Sequence, residues 1–150
     1  MPATASAVER EIRIDAAPET IFEFLVEPDK MPLWMGRRAE LEPHAGGLYR
    51  VDINGEYIAS GEFVEVDPPR RVVFTWGWEG DGMAVAPGTS TVEITLAREG
   101  DSTLVRLVHS DLPEAEREPH SHGWTTYLDR LALVARGEDP GPDPNARAAE

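Results

Sequence analysis

The sequence predicts an α+β fold: a curved antiparallel β-sheet of about six or seven strands around one long C-terminal helix, with two short helices after the first strand. Three observations predict it. Trp124, Tyr127, Leu128, Leu131, Val134 and Ala135 recur at helical spacing and, at about 100° per residue, fall within roughly one third of a turn. Thr125, Thr126, Asp129, Arg130 and Arg136 then face away. Nearly everything between Gly46 and Leu112 reads as consecutive strands with the period-two alternation of a pleated surface. A helix with one aromatic stripe, arriving after a run of strands, must bury that stripe against the sheet.

The elements follow in order. Val8, Arg10, Ile12 and Ile14 alternate with Glu9, Glu11, Arg13 and Asp15 as a first strand. Pro18 suits the first position of a helix, where its missing N–H is not needed, and Glu19 suits the positive end of the helix dipole. Ile21, Phe22, Leu25 and Val26 form the buried stripe of that helix, and Pro28 ends it. A second helical turn over 29–34 is irregular because of Pro32. Gly46-Gly47 opens a meander in which Tyr49, Val51 and Ile53 share a face, and Asn54-Gly55 is a hairpin signal. The next strand runs from Glu56 to Val66 and stops at Asp67-Pro68-Pro69. Another starts at Arg71 and sets Val72, Phe74, Trp76 and Trp78 on one face. Residues 79–88, rich in Gly and Asp around Met83 and Val85, read as a mobile loop. Two strands, 91–97 and 103–112, pair across Glu99-Gly100-Asp101, with Val92, Ile94 and Leu96 facing one way on the first. Val105, Leu107 and His109 share a face of the second. Residues 113–118 read as an acidic connector to the long helix.

Length and composition narrow the classes. A chain of 150 residues is one domain by its size and long enough to bury a core without staples. The expected organisation is a disordered N-terminal tail over 1–7, one domain over 8–137, and a disordered, Pro- and charge-rich C-terminal tail over 138–150. There is no cysteine, which excludes disulfides, thiolate catalysis and cysteine-held metals. The absence of a long apolar run and of a signal-like start is what a cytoplasmic protein would show. A net charge of −14 disfavours nucleic acid and anionic membrane surfaces as partners, and it favours solubility.

Several local patterns, taken together in this order, resemble a known superfamily. They are Ala17-Pro18 with Ile21-Phe22, the stretch from Pro28 to Trp34, Gly46-Gly47-x-Tyr49, and Gly61 to Val66. Pro69-x-x-Val72-Val73-Phe74-Thr75-Trp76, Thr103-x-Val105-x-Leu107-x-His109 and Gly123-Trp124-x-x-x-Leu128-x-x-Leu131 complete the set. From Val8 to Gly137 the chain resembles the START-like (SRPBCC) superfamily with its helix-grip fold. Within it, the chain looks like the branch homologous to the C-terminal domain of the heat-shock-protein-90 ATPase activator. The resemblance implies a cavity between helix and sheet and a ligand-binding or chaperone-associated role, with no universal catalytic motif. Trp34-Met35-Gly36 stands where many relatives carry paired aromatics, and the flexible thioether suits a plastic apolar wall.

The expected cavity residues are Trp34, Met35, Tyr49, Phe74, Trp76, Trp78, Met83, His109, Trp124 and Tyr127, with Trp78 near the rim. All four tryptophans are in this set or at its edge. His109, His120 and His122 do not have the spacing of a metal site, so no metal and no cofactor is expected. Neither a Gly-x-Ser-x-Gly elbow nor a phosphate loop is present. Arg50, Tyr49, Tyr57 and His109 are the polar groups a cyclase-like enzyme would use, although Arg50 falls on the strand face opposite Tyr49. Three functions stay open: non-catalytic binding of a small hydrophobic or amphipathic molecule, a protein-interaction module of the activator type, and a polyketide cyclase-like enzyme. The expected partners are accordingly a small apolar or aromatic molecule or another protein, and the chain is expected to be a monomer or homodimer.

Overall fold

The computed structural model describes residues 7–141, 143 and 144. Seven strands form one antiparallel sheet in the order β1-β7-β6-β5-β4-β3-β2. They are β1 (Val8–Ile14), β2 (Arg38–Leu41), β3 (Leu48–Asp52), β4 (Ile58–Asp67), β5 (Arg71–Trp76), β6 (Ser90–Glu99) and β7 (Ser102–Ser110). Helix α1 (Pro18–Val26) and a single 3-10 turn (Met31–Leu33) follow β1, and helix α2 (Glu114–Ala135) follows β7. The two short helices expected after the first strand are thus one α-helix and one 3-10 turn, with proline near the start of each.

The alternation predicted from sequence holds on the inner face. Val72, Phe74 and Trp76 of β5, Val92, Ile94 and Leu96 of β6, and Val105, Leu107 and His109 of β7 are all buried. Trp124, Tyr127, Leu128 and Leu131 of α2 meet them, and Ile21, Phe22 and Leu25 of α1 join the same core. Gly61 is required by packing, because a Cβ there would come within 2.1 Å of the Thr75 carbonyl oxygen.

Four local readings are corrected. Strand β2 was not expected: Arg38-Ala39-Glu40-Leu41 is a short edge strand that buries only Leu41, so its sequence carries almost no alternation. Asn54-Gly55 lies in a five-residue connection, 53–57, and not in a two-residue hairpin. There the Asn54 side-chain oxygen accepts from the backbone N–H of Glu56 and Tyr57, a local bond that competes with pairing. The acidic connector is the beginning of α2 itself: Glu114 and Glu116 sit in its first turn, where carboxylates suit the dipole. Pro119 is accepted inside that helix near its N-terminal end, where it removes a single intrahelical bond.

The fourth concerns Arg130, expected to face solvent. It is buried because three carbonyls converge on its guanidinium: Trp34 O at 2.8 Å, Gly141 O at 3.0 Å and Pro140 O at 3.3 Å. Residues 138–150 were read as a tail, and 142 and 145–150 of it lie outside the described residues, as do 1–6 of the N-terminal one. The described part folds back on α2. Asp143 is buried, and its carboxylate accepts from the Gly36 N–H at 3.1 Å and from the Tyr127 hydroxyl at 3.0 Å.

Candidate functional site

The end of the sheet where β5 stops and α2 begins opens into a cleft of about 560 Å³. Three parts of the chain build its walls. Trp76 ends β5, and Trp78, two residues on, stays on the same side by bridging to Ala59 of β4. The loop that follows contributes Met83 and Val85. Its second half is tied down: Trp78 N–H donates to Val85 O at 2.7 Å, and a Cβ on Gly77 would come within 1.8 Å of Ala86 O. Within the stretch 79–88, expected to be mobile, Val85 is buried and accepts this backbone bond from Trp78. Helix α2 supplies His120, Gly123, Trp124 and Tyr127, and Met35 and Pro144 border the cleft.

Six of the ten expected cavity residues line this cleft: Met35, Trp76, Trp78, Met83, Trp124 and Tyr127. The other four do not. Tyr49 and Phe74 stack at 3.9 Å between ring centroids, with Phe63 edge-on to both, and fill the neighbouring part of the interior. Burial drives the Tyr49 phenol far above its usual pKa, so it stays neutral. Trp34 is buried, with its indole N–H on the Phe24 carbonyl at 2.8 Å. His109 lies behind Trp76 and Trp124.

The rings of His109 and His120 are each held by an indole donor. An indole N–H can only donate, so the ring nitrogen it meets must be an acceptor. Trp124 donates to His109 Nδ1 at 3.0 Å, which leaves the proton on Nε2, facing Ser90 Oγ at 2.8 Å. Ser90 in turn donates to Trp76 O at 2.7 Å. Desolvation, and secondarily the neighbouring His120, push the His109 pKa down to about 3. Trp78 donates to His120 Nε2 at 3.1 Å, so Nδ1 carries the proton and donates to Glu116 O at 2.8 Å.

His120 was read from the sequence as a residue without metal-site spacing. It is in fact within α2, one turn before Trp124 and on the same face, and it is buried. A helix start placed at Glu114 would have revealed this spacing. Arg50 lies away from the cleft, on the outer face, where it donates to Glu79 and Glu40, each at 2.8 Å. Hydrogen bonding from Arg50 lowers the Glu79 pKa. Tyr57 lines the cleft mouth, edge-on to Trp78. Among the described residues, no group of three or more metal-ligating side chains occurs, and no helix is long and apolar enough to cross a membrane.

The sequence profile of the family described as Activator of Hsp90 ATPase homolog 1-like protein matches residues 15–136. No curated protein matches the chain. Among solved structures, an AHSA1-like protein from Rhizobium etli is 48% identical, covers 92% of this chain and 86% of its own, and superposes with a TM-score of 0.73. CalU16 from Micromonospora echinospora is 29% identical over 96% of this chain and 73% of its own, with a TM-score of 0.76. The Aha1 dimer from Colwellia psychrerythraea is 20% identical over 86% of this chain and 95% of its own, with a TM-score of 0.73, and shares the helix-grip fold.

Proposed function

The chain belongs to the Activator of Hsp90 ATPase homolog 1-like family, and from that premise we propose that it binds a small hydrophobic or amphipathic molecule in the helix–sheet cleft without transforming it. The observation that carries this reading is the cleft itself, whose 560 Å³ falls within the range of about 300–1,000 Å³ common to ligand sites. Its walls are largely indoles, thioethers and aliphatic chains, and polar groups enter from Asn54, Tyr57, Glu116, His120, His122, Thr126 and Tyr127. At about 25 cal/mol per Å², burying some 300 Å² of apolar ligand surface provides on the order of 7 kcal/mol before entropic losses.

Support for the non-catalytic part of the reading comes from His109 and His120. The unprotonated nitrogens of His109 and His120 each accept an indole N–H, so neither is free to take a substrate proton. Among the described residues, the exposed large apolar side chains are Leu33, Tyr57 and Val64, which lie on separate elements and favour the cleft over a flat protein-docking surface.

Native mass spectrometry of freshly purified protein, followed by indole and amide shift titrations with fatty acids, flavonoids and aromatic ketones, tests the proposal. A co-purifying small molecule, or saturable shifts confined to residues around Trp76, Trp78 and Trp124, is the expected result. A panel that leaves all three unperturbed at millimolar concentration would overturn it.

A further inference from the structure

The four tryptophans are not treated alike. Trp34 donates to Phe24 O, Trp78 to His120 and Trp124 to His109. The indole nitrogen of Trp76 is buried, yet among the described residues it meets no acceptor. Its ring is surrounded by those of Tyr49, Phe74, Trp78, His109 and Trp124. The acceptor nitrogen of that histidine is already taken by Trp124. A donor cut off from both water and protein carries a desolvation cost that an incoming acceptor would remove. Trp76 is also part of the cleft wall.

Building on the cleft-binding reading above, we propose that the occupant is a neutral ketone on a flat, mostly apolar skeleton, whose carbonyl oxygen accepts the Trp76 indole N–H. A carbonyl fits better than the alternatives. A hydroxyl would bring a donor of its own against the rings packed around Trp76, where the acceptor nitrogen of His109 is already committed. A carboxylate would find no Lys or Arg among the described lining residues, and it would meet Glu116. A flat, aromatic-like skeleton can meet the Trp76, Trp78 and Trp124 rings face-on at one and edge-on at another, since Trp78 stands at 82° to Trp76. Reaching a covered nitrogen requires the wall to shift, and Met35 and Met83 in the lining have the unbranched, rotatable side chains to do so.

A matched pair of probes tests this. 1-Tetralone and tetralin have the same fused-ring frame and differ by a carbonyl in place of a methylene group. Titration of 15N-labelled protein, with indole peaks assigned through single Trp→Phe variants, should give about tenfold tighter binding of the ketone. The Trp76 indole N–H peak should move downfield and exchange more slowly with water only when the ketone is added. The Trp76→Phe variant should bind both probes equally. If that variant does not fold, the pair on the unaltered protein still decides. Equal affinities with the Trp76 indole peak unmoved, while the Met35 and Met83 methyl signals shift, would overturn the carbonyl assignment and leave the cleft as an apolar site. No shift from either probe would overturn the cleft reading and this inference with it.

Discussion

Two aromatic clusters lie side by side in this interior, and only one is filled. Tyr49, Phe63 and Phe74 come from adjacent strands β3, β4 and β5, where the pleat brings rings into register; two of them stack at 3.9 Å between centroids and the third closes the gap edge-on. Trp76, Trp78 and Trp124 come from a strand end, a loop and a helix, and they meet at steep angles with a cleft beside them. The difference teaches that aromatic content does not make a pocket. Rings held on one sheet interlock, whereas rings brought together from three kinds of element leave space at their junction. The second cluster also spends polar partners, two histidines, on holding its rings in place.

Breaking the filled cluster should have the largest effect. Phe74→Ala removes a ring from the closed stack and should cost about 3–5 kcal/mol in urea denaturation. Trp78→Ala, at the half-buried rim, should cost clearly less stability but weaken ligand binding more. The reverse ranking would mean that the wrong cluster has been taken as structural.

Next in size is a pH effect confined to the open cluster. The unfolded chain protonates His109 near pH 6.5 and the folded chain near 3, so between these values the unfolded state holds more protons. The contribution is complete above pH 6.5 and is lost as pH falls towards 3. At about 1.4 kcal/mol per unit, it amounts to on the order of 3 kcal/mol between pH 7 and pH 4. His109→Gln preserves an acceptor and a donor without the titration. The stability of the original minus that of the variant should shrink by this amount as pH falls, measured by denaturation at several pH values. A difference independent of pH would refute the neutral, buried histidine.

Smaller still is Gly123, within α2 and on the cleft wall, where an added Cβ would meet nothing within 4 Å. Gly123→Ala should stabilise the helix by about 0.5–1 kcal/mol, seen as a raised Tm, while Gly123→Leu should obstruct the cleft and lower affinity without unfolding. Arg50→Ala, on the outer face, should cost about 1 kcal/mol or less and leave ligand affinity unchanged. A loss of binding in this last variant would extend the site to the far side of the sheet.

What could be read from the sequence follows from periodicity. The Trp124–Leu131 stripe and the inner faces of β5, β6 and β7 repeat at the spacing of their elements, so fold and core were legible together. Edge strand β2 has one buried residue, and α2 starts before a proline that looks like a boundary, so neither announces itself. Tyr49 and Phe74 have the parity of wall residues, but parity says only which side a ring faces and nothing about whether neighbours close over it. Arg130 and Asp143 are buried through bonds to segments distant in the chain, which no local pattern encodes.

The close spacing of the indoles has an optical consequence. Trp76 sits 5.4 Å from Trp78 and 5.2 Å from Trp124, centroid to centroid, well inside the range over which excited indoles exchange energy. Light absorbed by one ring is therefore shared among the three before it is emitted. A molecule that quenches any one of them dims the whole cluster, so the protein's own fluorescence reports occupancy of the cleft with high gain but is blind to which ring is touched.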